Sequence, residues 1–318
     1  MTTKPRILVD DSDPVVINRD GNLKSIFSQY VDVVKYRPGI SLNDFDVAMT
    51  LGHENHRWFT DLVNCGVRLI IDNQWEHQMT DYLVKKHNGQ VFIWSAKNFF
   101  WVNEYHWYKE LGYDNYRPNK DYKHTAFMPI RQLKPARRDL VQALEPYLGQ
   151  ILYSIMDQCR YLPGDRSPDL LSTQRYIDPL WYDNTYFSIV AETITETYTD
   201  WLPDVAHCIH ITEKTYKAMS FYHPFMIFGQ TGTLAELRRR GFETFENLFD
   251  ESYDTEKDQT KRLNSIVDNV ARFVPKDYNQ LTWEKLEHNH SLFYNSSVVD
   301  KILKEEIITP LVEYAFAS

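Results

Sequence analysis

Over roughly the first hundred residues, short apolar runs alternate with longer stretches of mixed polarity, the rhythm of strands and helices wound into a parallel sheet. The runs Ile7 to Val9, Val47 to Leu51, Val67 to Ile71 and Val91 to Trp94 predict strands. Between them, Leu23 to Tyr30, Asn55 to Val63 and Trp75 to Lys86 predict helices. Each strand runs into polar residues: Asp10-Asp11, Gly52-His53-Glu54, Asp72-Asn73 and Ser95. In an open α/β sheet the carboxyl ends of the strands border the ligand crevice, so these tips are candidate substrate contacts.

Residues 113–123 have no hydrophobic period and are rich in turn formers, which predicts a linker. A second α/β unit comes after it. His124 to Ile130, Ile151 to Ile155, Phe187 to Val190 and Pro224 to Gly229 read as strands, and Ala136 to Leu144 and Glu213 to Ser220 as helices. The unbroken apolar content of the last strand predicts burial on both faces. Thr233 is the expected N-cap of a helix stopped by Gly241, and further helices are expected over 257–272, 281–290 and 297–315. The fold class expected is α/β, with two Rossmann-like domains over residues 1–112 and 124–256 facing across a cleft. Residues 257–318 would supply C-terminal helices packing on them. At 318 residues the chain suits two domains of about 150 each.

Composition narrows the function classes. A formal charge of −9 opposes a general nucleic-acid coat, because polyanion binding needs clustered Lys and Arg. Aromatics make up 14% of the chain, enough for packed cores and for stacking surfaces in a cleft. Cys65, Cys159 and Cys208 are odd in number and lack CxxC spacing, which favours reduced, packed thiols over a disulfide framework or a zinc site. No stretch approaches the ~20 apolar residues of a membrane span, and the N-terminal residues form no apolar leader. The expectation is a soluble, cytoplasmic protein.

The densest chemistry lies between Phe187 and Phe245. It comprises Glu192-Thr193, then Thr212-Glu213-Lys214, then His223-Pro224, and a Gly229 to Gly232 turn. A helix starting near Thr212 directs its free amides and positive dipole end at the crevice, which suits a pyrophosphate. Glu213 offers a carboxylate for ribose hydroxyls, and Lys214 an ammonium for phosphate charge. The alternative is a solvated helix start. Arg137 and Arg138 could likewise lie on an exposed face, Arg238 to Arg240 read as a solvated helix end, and His223 as a packed turn residue.

This constellation resembles the fucosyltransferase-like group of two-Rossmann (GT-B type) glycosyltransferases, in which a Glu-x-(Ser/Thr) segment precedes a Thr-Glu-Lys helix start, a short buried strand and a glycine turn. Phe127-x-x-x-Arg131-x-x-x-Pro135-x-Arg137 is similar to the opening of that group's donor domain. The resemblance covers about residues 124–250. It implies that Lys214 and Arg137 hold a diphosphate, with Arg131 in support. Glu213 would hold the ribose at the Thr212 helix start, and Glu192 would lie against the sugar or its diphosphate linkage. Pro129-Ile130 and Tyr216 depart from the usual pattern and leave base and sugar open.

The activity implied is transfer of a sugar, hexosyl or fucosyl, from a nucleoside diphosphate donor (a GDP- or UDP-sugar) to a glycan or other hydroxyl acceptor. No further cofactor and no metal are expected, since cationic side chains and a helix dipole can stabilise the departing diphosphate. The acidic clusters Asp10 to Asp13 and Asp250 to Asp254 lack calcium-loop spacing. An inverting transfer needs a base for the acceptor, and a strand-tip carboxylate of the first domain is the expected source. Asp72 leads, then Glu76 and Glu54, with Asp11 and His53 as alternatives; a strand-end Asp can equally cap the next helix. Two other readings stay open: a viral-type glycosyltransferase with a DNA-base acceptor, and a non-catalytic nucleotide-sugar-binding module.

Overall fold

The computed structural model describes residues 98–158, 160, 162, 177–195 and 209–316. Before these it describes segments 6–8, 29–32, 34, 47–48 and a few single residues in full, and Val9, Val33, Lys35, 49–51, 68–72 and 91–94 by backbone alone. The chain forms two compact units, one of residues 1–107, 198–208 and 296–318, the other of residues 108–197 and 209–295.

The first unit is built on a five-stranded parallel sheet of β1 (Arg6–Val9), β2 (Asp32–Lys35), β3 (Val47–Leu51), β4 (Arg68–Asp72) and β5 (Val91–Trp94), in the order 2-1-3-4-5. Ile7 and Leu8, and Val47 and Ala48, are buried although neighbouring residues of a strand point to opposite faces. Strand β2 was not among the sequence expectations, because only two apolar residues stand between Asp32 and Lys35. Helix α1 (Phe99–Glu110) was also unexpected; aromatics on all sides of FFWVNEYHWYKE leave no clear amphipathic stripe. The expected helices 55–63 and 75–86, and most of 23–30, lie outside the described residues.

The second unit carries a four-stranded parallel sheet of β6 (His124–Ile130), β7 (Ile151–Ile155), β8 (Thr185–Ala191) and β9 (Phe225–Phe228), in the order 7-6-8-9. The chain steps outward from β6 to β7 and then returns to place β8 on β6's other side. The carboxyl ends of β6 and β8 therefore flank the point where strand order reverses, the position at which such sheets open a ligand crevice.

Helix α2 (Pro135–Ala143) comes after β6, and the short α3 (Pro179–Asp183) leads into β8. Beyond β8 this unit carries α4 (Glu213–Ser220), α5 (Thr233–Arg239), α6 (Gln259–Arg272) and α7 (Gln280–Phe293). Helix α4 packs against β8, β9 and α7, and α6 against β9 and α2. The core is strongly aromatic: Phe187 meets Phe249 and Phe273, and Tyr216 meets Phe242 and Phe293. Residues 113–123, expected as a linker, begin with a 3-10 turn and are tied to this unit by Asn119 and Tyr116 bonding the Asp183 carboxylate.

The cap of α5 differs from expectation. Gly232 takes the N-cap position in a left-handed conformation (φ 85°), and Thr233 is already helical. The amides of Leu234 and Ala235 are capped instead by the Asp254 carboxylate, at 3.0 and 3.1 Å. After Asn295 the chain returns to the first unit as α8 (Ser296–Ile302), a π-helical turn (Leu303–Ile308) and α9 (Thr309–Phe316), with Asn98 bonding Glu306 there.

Candidate functional site

Three elements of the second unit bring chemistry to the strand-order reversal. Strand β8 ends at Ala191 and delivers Glu192 and Thr193; helix α4 starts after Thr212 and delivers Glu213 and Lys214; helix α2, next in the chain after β6, delivers Arg137. The sequence dictates the α4 start locally. Thr212 is extended and its hydroxyl accepts the Lys214 amide at 3.4 Å, an N-cap of the usual kind.

Beneath that helix start lies Glu192, wholly buried. Its Oε1 accepts the Thr212 amide at 3.0 Å and the Thr215 hydroxyl at 2.8 Å. Oε2 accepts the Thr212 hydroxyl at 2.5 Å and the Thr193 amide at 3.3 Å. A carboxylate so placed has its acceptor sites filled by protein. Glu192 was expected to lie against the sugar or its diphosphate linkage; in the structure its carboxylate bonds the α4 start and the Thr193 amide. Gly229 permits the arrangement, since a Cβ there would stand 3.3 Å from the Glu192 Cβ.

Lys214 and Glu213 form an ion pair at 2.8 Å, with side chains 19% and 27% exposed. The Lys214 ammonium also donates to the hydroxyls of Thr193 (3.2 Å) and Thr212 (3.1 Å). Burial works to raise the Glu213 carboxyl, but the charges of Lys214 and Lys217, with hydrogen bonds from Lys214 and its own amide, outweigh it and hold it down at about 2. Glu213 is thus ionised at any physiological pH, an acceptor available to two hydroxyls.

Arg137 is 5% exposed. It donates to the Gln132 carbonyl at 3.2 Å and to the Thr193 hydroxyl at 3.4 Å, while its Nε has no hydrogen-bond partner among the described residues. Burial lowers the guanidinium from its ordinary value, and the nearby carboxylates of Glu192 and Glu213 counter that shift. A buried donor without an acceptor is costly.

Of the residues singled out from sequence, Arg137, Glu192, Thr212, Glu213 and Lys214 converge here. Arg131 is exposed, one residue beyond β6, and no hydrogen bond among the described residues joins it to the cluster. Asp72 closes β4 at the carboxyl edge of the first sheet, its backbone in register with Leu51 and Trp94. Glu54 and Glu76, like Asp11 and His53, lie outside the described residues. Thr193 and Thr215 were not assigned roles from sequence; only their position beside Glu192 and within α4 could have pointed to them.

Other expectations resolve as packing. His223 is buried, with Ser188 at 2.7 Å from Nδ1 and the Thr185 carbonyl at 2.9 Å from Nε2. The arginine run divides: Arg238 and Arg239 are exposed with Glu251 and Glu236 as partners, but the Arg240 side chain is 2% exposed, bonding Glu236 and the Tyr216 hydroxyl. The expected solvated helix end therefore fails at Arg240, where a paired charge lies against a buried tyrosine. Among the described residues no three His, Cys, Asp or Glu side chains group as metal ligands, and no helix is long and apolar enough to cross a membrane.

No family model matches the sequence, and neither does any curated protein. Among solved structures the chain is similar to an alpha1,3-fucosyltransferase at 11% identity and a TM-score of 0.47, over 96% of this chain and 92% of that one. It is similar to an alpha1,3-fucosyltransferase with GDP (10%, TM-score 0.47) and to one with GDP-fucose (10%, TM-score 0.44), over 96% of this chain and 93% of theirs in both cases. At these scores the likeness carries nothing about substrate.

Proposed function

We propose that this chain is a glycosyltransferase that takes a sugar from a nucleoside diphosphate donor and passes it to a hydroxyl. One observation carries the reading: Lys214, Arg137, the α4 start and an ionised Glu213 meet at the strand-order reversal of the second sheet. Two cations and a helix start suit a diphosphate, and an adjacent carboxylate suits a ribose diol.

In this reading the bond from the anomeric carbon to the diphosphate oxygen breaks as the acceptor oxygen attacks. Charge builds on the departing diphosphate, and Lys214 and Arg137 are already in place to stabilise it, so little reorganisation is needed. Arg131 is assigned an outer phosphate contact. Asp72 is assigned as the base that takes the acceptor's proton. The sequence resemblance to fucosyltransferase-like enzymes supports a GDP- or UDP-sugar donor.

The test is turnover with a panel of GDP- and UDP-hexoses, scored as release of nucleoside diphosphate with and without hydroxyl acceptors. Wild-type protein is expected to release it. Asp72→Asn, which keeps capping ability, is expected to bind donor normally and turn over at least ~100-fold slower. Binding without release by the wild type would make the chain a non-catalytic module, and near-normal turnover by a folded Asp72→Asn protein would move the base elsewhere.

A further inference from the structure

Thr193 is half-buried at the carboxyl end of β8, directly after Glu192. Its backbone amide is fixed by the Glu192 Oε2 at 3.3 Å, so the residue is held from below by a carboxylate that is itself saturated. Its hydroxyl oxygen accepts from the Lys214 ammonium at 3.2 Å and from the Arg137 guanidinium at 3.4 Å.

A hydroxyl has two acceptor lone pairs and one proton to donate. Both lone pairs of Thr193 are engaged by cations, and no acceptor for its proton occurs among the described residues. Two like charges are thereby bridged by a single neutral oxygen, which stands where an anionic oxygen would otherwise be needed. Accepting from two cations also polarises the O–H bond and strengthens it as a donor.

We infer that Thr193 is a third phosphate-binding residue: its hydroxyl sets the spacing of Lys214 and Arg137 and donates its proton to a phosphate oxygen of the nucleoside diphosphate. The inference rests on the reading of the site as a nucleoside diphosphate site. It adds a neutral donor between the two cations. Such a donor compensates phosphate charge without the mutual repulsion that a third cation would bring to this small space.

The experiment is calorimetric titration of GDP and UDP into wild type, Thr193→Ser, Thr193→Val and Thr193→Ala, each checked for a wild-type-like thermal transition. Thr193→Ala is the second variant should Thr193→Val not fold, and it is repeated in a Lys214→Met background. The variants without a hydroxyl are expected to bind about 10- to 100-fold more weakly. Thr193→Ser should stay within about threefold, and in the Lys214→Met background Thr193→Ala should still cost severalfold, because the direct contact persists. The inference is overturned by wild-type affinity in Thr193→Val or Thr193→Ala, by Thr193→Ser falling as far as they do, or by loss of the whole effect in the Lys214→Met background. Absence of any nucleoside diphosphate binding by the wild type would instead overturn the functional reading on which it rests.

Discussion

At the scale of single residues, the site shows how one buried carboxylate organises others. Glu192 spends its hydrogen-bonding capacity on the α4 start and on Thr193, and in the function proposed the ligand contacts fall to Lys214, Arg137 and Glu213. Glu213 in turn makes stability pH-dependent. Its folded carboxyl titrates at about 2, below its ordinary 4.5, so its ionised form contributes stability in full above about pH 4.5. That contribution is lost as pH falls through the window down to about 2. The melting-temperature difference between wild type and Glu213→Gln should therefore be constant above about pH 5 and shrink on acidification. A difference that grows below pH 4.5 would show that burial, which opposes ionisation, wins over the two lysines.

Sequence alone pointed to Arg137, Glu213 and Lys214 because their side-chain chemistry matched their place in a motif. Thr193 escaped because a threonine at a strand end carries no signal until its two cationic partners, 56 residues upstream and 21 downstream, are brought to it. Glu192 was noticed, but its burial and its bonds to Thr193, Thr212 and Thr215 were not foreseen, since burial cannot be read from an acidic residue beside a strand.

Elements were more legible than their ends. The runs giving β3, β5, β6 and β7 match the structure residue for residue, and α4 spans the expected eight residues, since an apolar strand and a Thr-capped amphipathic helix are both local signals. Non-local caps are not. Helix α5 starts one residue after a left-handed glycine, and its free amides are met by Asp254 from a turn 20 residues later. Asp254→Ala should lower stability by about 0.5 to 2 kcal/mol, as loss of a cap does, while leaving nucleoside diphosphate affinity unchanged. Urea unfolding and calorimetry on the one variant would check both halves, and a large fall in affinity would tie the α5 start to the ligand site. Arg240 teaches the same limit from the other side: three arginines in a row look solvated, yet helical spacing turns the last of them inward to Glu236 and Tyr216.

For the whole molecule, alternation of apolar runs with helices identified α/β architecture and parallel sheets, both of which the structure contains. What the pattern could not order were the strands: 2-1-3-4-5 in one sheet and 7-6-8-9 in the other depend on which crossover goes left and which goes right. Strand order nevertheless decides the function proposed, because the reversal between β6 and β8 is what assembles Arg137, Thr193 and Lys214 from three separate segments. The most direct measurement is calorimetric titration of GDP and UDP into the wild type and Lys214→Ala. A nucleoside diphosphate should bind the wild type, and the variant should bind it more weakly by roughly 1.5 to 3 kcal/mol, the worth of a charge-assisted contact. Failure of the wild type to bind either nucleotide, or equal affinity in wild type and Lys214→Ala, would contradict the account.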